Sequence, residues 1–310
     1  MTDKVNAILF HQYGPSPFSE KIRVIFGIKG LDWYAVEQPV IMPKPELTLL
    51  TGGYRKIPVL QIGADVYCDT QRIVAEIEKR YPTPSLFRGP NQGLDWCLNS
   101  WADRVFFQAV VAVVFGGGAA MADEAFIADR EKLTGRAFDV EAMATALPMM
   151  KEQLRSHLGW LNAELQDGRK FLKGDMPGFA DAAAFYNIAF MLGAYPAIKD
   201  MLATLSNLDK WVGAVHAIGH GNRTEMSREE SLAIAHDATS ITRPQTDPHD
   251  PNGLVPGDAV TIMADDYGQD PIQGELVTSN AHEIAIKRTT DELGDVVIHF
   301  PRAGFFVIKS

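Results

Sequence analysis

Cysteine is scarce: Cys68 and Cys97 are the only two in 310 residues. Two thiols make no disulfide framework, and no C-x-x-C pair is present for metal or redox work. A reducing compartment suits such a chain, so a cytoplasmic location is expected. Basic residues are in deficit too, 29 Lys and Arg against 39 Asp and Glu, and they do not gather into a block. The formal net charge of −10 repels phosphate backbones, so nucleic acid is not expected as a partner. Long apolar runs are also missing. The most apolar stretch, Ala109 to Met121, is interrupted by Gly116, Gly117 and Gly118 and falls short of the ~20 residues that a membrane span needs. Met1-Thr2-Asp3-Lys4 shows no charged stretch leading into an apolar run, so no secretory signal and no membrane partner are expected.

What is there is a chain long enough for two or three domains, with 46% hydrophobic residues to fill their cores. Ala7-Ile8-Leu9-Phe10 has the length of a strand, and Tyr13-Gly14-Pro15-Ser16-Pro17 reads as a turn. Ile22, Val24-Ile25-Phe26 and Ile28 then recur at helical spacing up to Gly30, a helix stop. Trp33 to Glu37 reads as a second strand. After a Pro-rich loop, Ile57 to Gln61 and Val66 to Cys68 form a hairpin pattern, and Gln71 to Arg80 a helix. The order is βαβ followed by ββα. From Gln92 to about Gly219 the pattern is helical throughout. Arg243 to Gly257 has the Pro, Asp and Gly content of a linker, and five short β-branched or alternating runs follow, which suggests a small barrel or sandwich.

Three short motifs carry a family resemblance. Ser16-Pro17-Phe18-Ser19-Glu20-Lys21-Ile22-Arg23 is similar to the turn and first helix of tau- and omega-class glutathione transferases, where a Ser or Cys before Pro-Phe opens the helix. Lys56-Ile57-Pro58-Val59-Leu60 resembles the family's cis-proline loop. Cys68-Asp69-Thr70-Gln71 resembles the acidic-hydroxyl pair that starts its third helix, usually Glu-Ser. Each motif is weak alone; in this order, ahead of a helical stretch, they are specific. The resemblance implies an α+β, multidomain fold: a thioredoxin-like glutathione-binding domain over 1–84 and an all-helical domain over 91–240. A small β-barrel-like module over 250–310 would be added to it, and that part lies outside the resemblance.

The chemistry has a reading in the residues themselves. Ser16 stands where a helix begins, and the unpaired N–H groups and macrodipole there favour negative charge. A hydroxyl at that place can donate to a sulfur and lower its pKa, and the thiolate is the reactive form. By resemblance the sulfur belongs to glutathione, Ser16 is the catalytic residue and Tyr13 the runner-up; read blandly, Ser16 is an N-cap. The resemblance further implies that Ile57 and Pro58 hold the cysteinyl backbone. Asp69 and Thr70 would hold the γ-glutamyl group at a helix N-terminus, and Lys44 and Lys56 the glycyl carboxylate. Asp-Thr keeps the charge and hydroxyl of Glu-Ser but shortens one arm.

Trp101, Phe106, Phe107 and Phe115 either line a pocket for an apolar co-substrate or belong to the core. His216 and His220, four apart, lack a third ligand, and no metal site is expected. The acidic run Asp265-Asp266-Tyr267-Gly268-Gln269-Asp270 lacks the ligand order of a calcium loop and reads as an exposed turn. Gly178 stands where the family has the hydroxyl residue of a capping box completed by Asp181, a folding element. The function implied is a glutathione-dependent transferase acting on a small electrophile, as a homodimer with glutathione as co-substrate. The alternative is a non-catalytic relative that uses the fold as an interaction platform. A thiol oxidoreductase is disfavoured, because Ser16 stands where the Cys would be.

Overall fold

A computed structural model describes residues 4–89, 92–119 and 122–310. The first residues, Met1 to Asp3, and the end of the apolar run at Met121 lie outside the described residues. The chain opens with β1 (Leu9–Gln12), α1 (Pro17–Lys29), β2 (Asp32–Glu37), α2 (Pro45–Thr51), β3 (Val59–Ile62), β4 (Asp65–Cys68) and α3 (Thr70–Arg80). β1 runs parallel to β2 and antiparallel to β3, and β4 is antiparallel to β3. This is the βαβ–ββα order of a thioredoxin-like domain. Local chemistry sets its boundaries. Ser16 caps α1, Pro17 fills its first turn, and Gly30 ends it in the left-handed region (φ 62°).

The helical part contains α4 (Gln92–Trp101), a π-helical turn (Ala102–Phe106), α5 (Phe107–Gly116), α6 (Glu124–Thr134), α7 (Val140–Glu164), α8 (Phe179–Ala194), α9 (Ile198–Leu202) and α10 (Ser206–His216). The first three join into one helix, Gln92–Gly116, whose length and mean hydropathy of 1.2 would suffice for a membrane span. Its Phe106, Val110, Val113 and Val114 are instead buried in one core with Leu154, Leu158 and Leu161 of α7 and with α8. The same core continues through α1 and α3 of the thioredoxin-like part, so the two regions are packed as one body.

The rest of the chain departs from the expected layout. β5 (Asn222–Met226) pairs parallel with β2, and α11 (Arg228–Asp237) packs near α2, so the segment from about 222 joins the N-terminal sheet rather than the helical domain. Its Asn-Arg-Thr-Glu-Met sequence has no apolar alternation because four of its five residues are exposed at a sheet edge. β6 (Ala259–Ala264), β7 (Ile272–Ser279), β8 (Glu283–Thr290), β9 (Gly294–Pro301) and β10 (Phe305–Lys309) are the five strands read from the sequence, shifted by a residue or a few at their ends. They do not close into a barrel-like module. β9 pairs parallel with β4, which yields one ten-stranded sheet in the order β10-β6-β7-β8-β9-β4-β3-β1-β2-β5. Burial gives the reason. All four residues of β4 are buried, and Val66 and Cys68 share a core with Ile262, Ile286, Ile298 and Phe300. Left as an edge, β4 would present unpaired backbone N–H and C=O groups, and β9 pairs with them.

Candidate active site

The cleft lies where α3 begins, beside the loop that enters β3, and Lys56, Ile57, Pro58, Asp69 and Thr70 all line it. The Ile57–Pro58 peptide bond is cis. Asp69 caps α3 with φ +72°, and its Oδ1 accepts from the Gln71 N–H at 2.9 Å. A positive φ outside glycine is uncommon. It is found here at the end of a helix aimed into a cleft, where backbone strain often accompanies function. Burial raises the Asp69 carboxyl pKa, reinforced by nearby Asp103 and opposed by Lys56 and Lys21. Thr70 is buried, and its hydroxyl accepts from Lys21 Nζ at 2.9 Å.

Lys21 is a site residue that sequence reasoning missed. Its ammonium is fully buried and also donates to Asn99 at 2.8 Å and to both carboxylate oxygens of Asp103, at 2.6 and 2.8 Å. Asp103 accepts from Tyr186 as well, at 3.0 Å. One ammonium thus ties the N-terminus of α3 to the π-helical turn and α8. The turn itself brings Asp103 and Arg104 to the cleft wall, and such π distortions recur at functional sites. A sequence signal did exist for Lys21: it falls three residues after Phe18 and four before Ile25, on the apolar face of α1.

Ser16 and Tyr13 lie outside the residues lining the cleft. Ser16 is buried as the N-cap of α1, its Oγ accepting from the Ser19 N–H at 3.1 Å. That bond uses a lone pair and leaves the hydroxyl proton free to donate. Tyr13 is half-buried, its ring 5.9 Å from Lys44 Nζ. Lys44 does not join Lys56. Its side chain is buried next to α6, near Arg130, Asp129 and Arg55, and burial, with the two arginines, lowers its pKa to about 8 against the pull of Asp129. Lys56 is already paired, with Asp266 at 2.8 Å, so the acidic run is not an ordinary exposed turn. Tyr267, Gly304 and Phe305 complete the wall. The C-terminal segment therefore contributes to the cleft, which no local pattern of residues signals.

Of the four aromatics named between Trp101 and Phe115, Phe106 and Phe115 are core. Trp101 stacks on Phe106 at 4.9 Å. Phe107 reaches toward the cleft, 4.8 Å from the ring of Phe18, which lines it. His220 pairs with Glu20 at 2.9 Å. Cys68 is fully buried, and burial raises its thiol pKa, which leaves it unreactive.

Comparison with known proteins bears on this geometry. Residues 9–85 match the sequence model of the glutathione S-transferase N-terminal domain, and residues 124–214 that of its C-terminal domain. A GST-like protein from Pseudomonas syringae of known structure is 33% identical, with a TM-score of 0.83 over 98% of this chain and 100% of its own. The chain belongs to the glutathione S-transferase superfamily. The likeness to the P. syringae transferase-like protein extends through the C-terminal strands, which both family models leave out. A probable glutathione S-transferase of Nicotiana tabacum is 26% identical over 223 residues, 71% of this chain and 88% of the relative. A glutathione S-transferase from Rhodospirillum rubrum F11, 23% identical with a TM-score of 0.52 over 77% of this chain and 96% of its own, shares the fold. Membership of the transferase superfamily supports glutathione-dependent transferase activity in general and leaves the second substrate open.

Proposed function

We propose that the protein binds glutathione in this cleft and activates its thiol for attack on a small, apolar electrophile. The cysteinyl backbone would lie along Ile57–Pro58. The γ-glutamyl carboxylate would lie at the α3 N-terminus beside Thr70, where unpaired N–H groups attract anions, with Asp69 facing its ammonium. The observation that carries the reading is the convergence on one cleft of Lys56, the Ile57–Pro58 bond and the strained Asp69-Thr70 cap. Ser16 stays the candidate for the thiolate and Tyr13 its rival. Lys44, turned toward α6, is the weakest of the proposed contacts.

Isothermal calorimetry with reduced glutathione, followed by turnover with several electrophile classes, tests the proposal. No heat at millimolar glutathione would count it out. A non-catalytic reading keeps one specific observation in its favour: Lys56 is paired within the chain. Glutathione binding without turnover on any electrophile would favour it. A cytoplasmic, symmetric homodimer completes the proposal. Light scattering that reports a monomer at micromolar concentration would remove the dimer.

A further inference from the structure

Between β6 and β7 the chain leaves the sheet and borders the cleft with Asp266 and Tyr267. Three contacts seat this loop, each on a different part of the molecule. Asp266 Oδ1 accepts from Lys56 Nζ at 2.8 Å, in the loop before β3. Asp265 Oδ1 accepts from Arg104 at 2.5 Å, in the π-helical turn. The Gly268 N–H donates to the Leu133 carbonyl at 2.7 Å, near the end of α6. The Tyr267 ring lies 4.4 Å from Lys56 Nζ, within cation–π range. Gly268 has φ +61°, and a Cβ there would meet Leu133 Cδ1 at 3.0 Å and Lys56 Cε at 3.1 Å, so the seat is built for glycine.

Both cations that line the cleft, Lys56 and Arg104, are thus held by loop carboxylates. With the loop down, a ligand carboxylate must compete with Asp266 for Lys56. We propose that the β6–β7 loop is a lid on the glutathione cleft, latched by Asp266 on Lys56 and by Asp265 on Arg104, and that a carboxylate of incoming glutathione displaces Asp266 as the lid opens. The proposal rests on the glutathione reading above. The exchange at Lys56 is like for like, one carboxylate for another, so the apparent affinity is set by how often the loop is unseated: a ligand that binds only the open form loses affinity in proportion to the open fraction.

Asp266→Asn keeps the side-chain shape and removes the charge at a partly exposed position where folding is not at risk; Asp265→Asn does the same at the outer latch. The experiment is calorimetry with reduced glutathione, combined with hydrogen exchange at the Gly268 amide, on the wild type and both variants. Asp266→Asn is expected to bind glutathione about 1.5- to fivefold tighter, as the loss of a part-exposed ion pair allows. Asp265→Asn should show a smaller gain, and the Gly268 amide should exchange faster in both ligand-free variants. Unchanged affinity with unchanged exchange would overturn the lid. So would weaker binding in Asp266→Asn, which would make Asp266 a ligand contact. Faster exchange with no glutathione binding to any of the three proteins would keep the latch and overturn the ligand.

Discussion

Ser16 has two roles open to one hydroxyl, and they are separable because they use different atoms. Capping uses an oxygen lone pair, already given to the Ser19 N–H; thiolate stabilisation uses the proton. Ser16→Ala removes both. If the proton serves a thiolate, the variant should raise the thiol pKa of bound glutathione and slow turnover by about 10- to 150-fold, the equivalent of a charged hydrogen bond of about 1.5–3 kcal/mol. If only the cap is lost, stability falls by about 1 kcal/mol and the thiol titration stays put. Ultraviolet titration of the bound thiol and a melting curve on the same variant decide between them, and an unshifted titration would pass the role to Tyr13. Lys21 is a simpler case. Truncating it leaves Asp103 without its cation, so Lys21→Ala should cost about 3–5 kcal/mol in denaturant unfolding. A loss under 1 kcal/mol would mean that water replaces the ammonium. Ile57, Pro58, Asp69 and Thr70 were legible because short contiguous motifs at the ends of a strand and a helix bring them to the cleft. Asp103, Arg104, Asp266 and Tyr267 were not, because tertiary packing alone carries them there from distant segments with no local pattern.

At the scale of elements, caps and turns were legible and edges were not. The N-terminal helices begin and end where Ser16, Pro17, Gly30 and Asp69 put them. β5 escaped because an exposed edge strand carries no hydrophobic alternation. The β9–β4 pairing escaped because the sequence shows that a strand is apolar, not which strand it joins. The start of α8 is a case where the residue pattern alone would mislead. Asp181 accepts from the Gly178 N–H at 2.9 Å, the Leu172 N–H at 2.8 Å and Trp211 Nε1 at 2.8 Å, so half of a capping box survives without the hydroxyl partner. Restoring that partner with Gly178→Ser looks like an improvement, yet capping by Ser exceeds Gly by only a few tenths of a kcal/mol. A Cβ at this position would lie 2.6 Å from the Leu86 carbonyl oxygen, and overpacking of this kind costs about 1–3 kcal/mol. Gly178→Ser should therefore lower the melting temperature. An unchanged or raised value would show that the Leu86 strand of chain can give way. The φ of −149° is ordinary extended backbone, so space, and not conformation, requires the glycine.

On the scale of the whole molecule, one buried histidine helps join the C-terminal strands to the thioredoxin-like sheet. His299 of β9 lies 3.2 Å from Asp65 of β4 and 3.9 Å from Glu283 of β8, and stacks on Tyr67 at 4.5 Å. Asp65 also accepts from Ser240 at 2.6 Å and Thr242 at 2.7 Å, and Arg72 of α3 reaches Glu283 at 3.2 Å. Burial alone would lower the imidazole pKa, and the charge of Arg72 adds to that, but the two carboxylates outweigh both and raise it. The Glu283 carboxyl is pulled down to about 2, chiefly by its contact with His299 and against burial. The signs then fix the pH dependence. A raised histidine contributes its full stability below its ordinary pKa of about 6.5 and loses it as pH climbs through the folded value; the lowered carboxylate contributes above about 4.3 and loses it as pH falls through about 2. Two other groups bound the useful window. His11, buried with its pKa lowered to about 4, weakens the fold as pH drops below about 6.5. Lys44, lowered to about 8, has the opposite slope to His299 above that pH. Between about pH 6.5 and 8, stability should therefore fall with rising pH as His299 gives up its proton. His299→Gln, which keeps a donor and loses the titration, should flatten that slope while lowering stability at pH 6.5. Denaturant unfolding across the window reads both, and a His299→Gln slope equal to that of the wild type would place the pH dependence in another group.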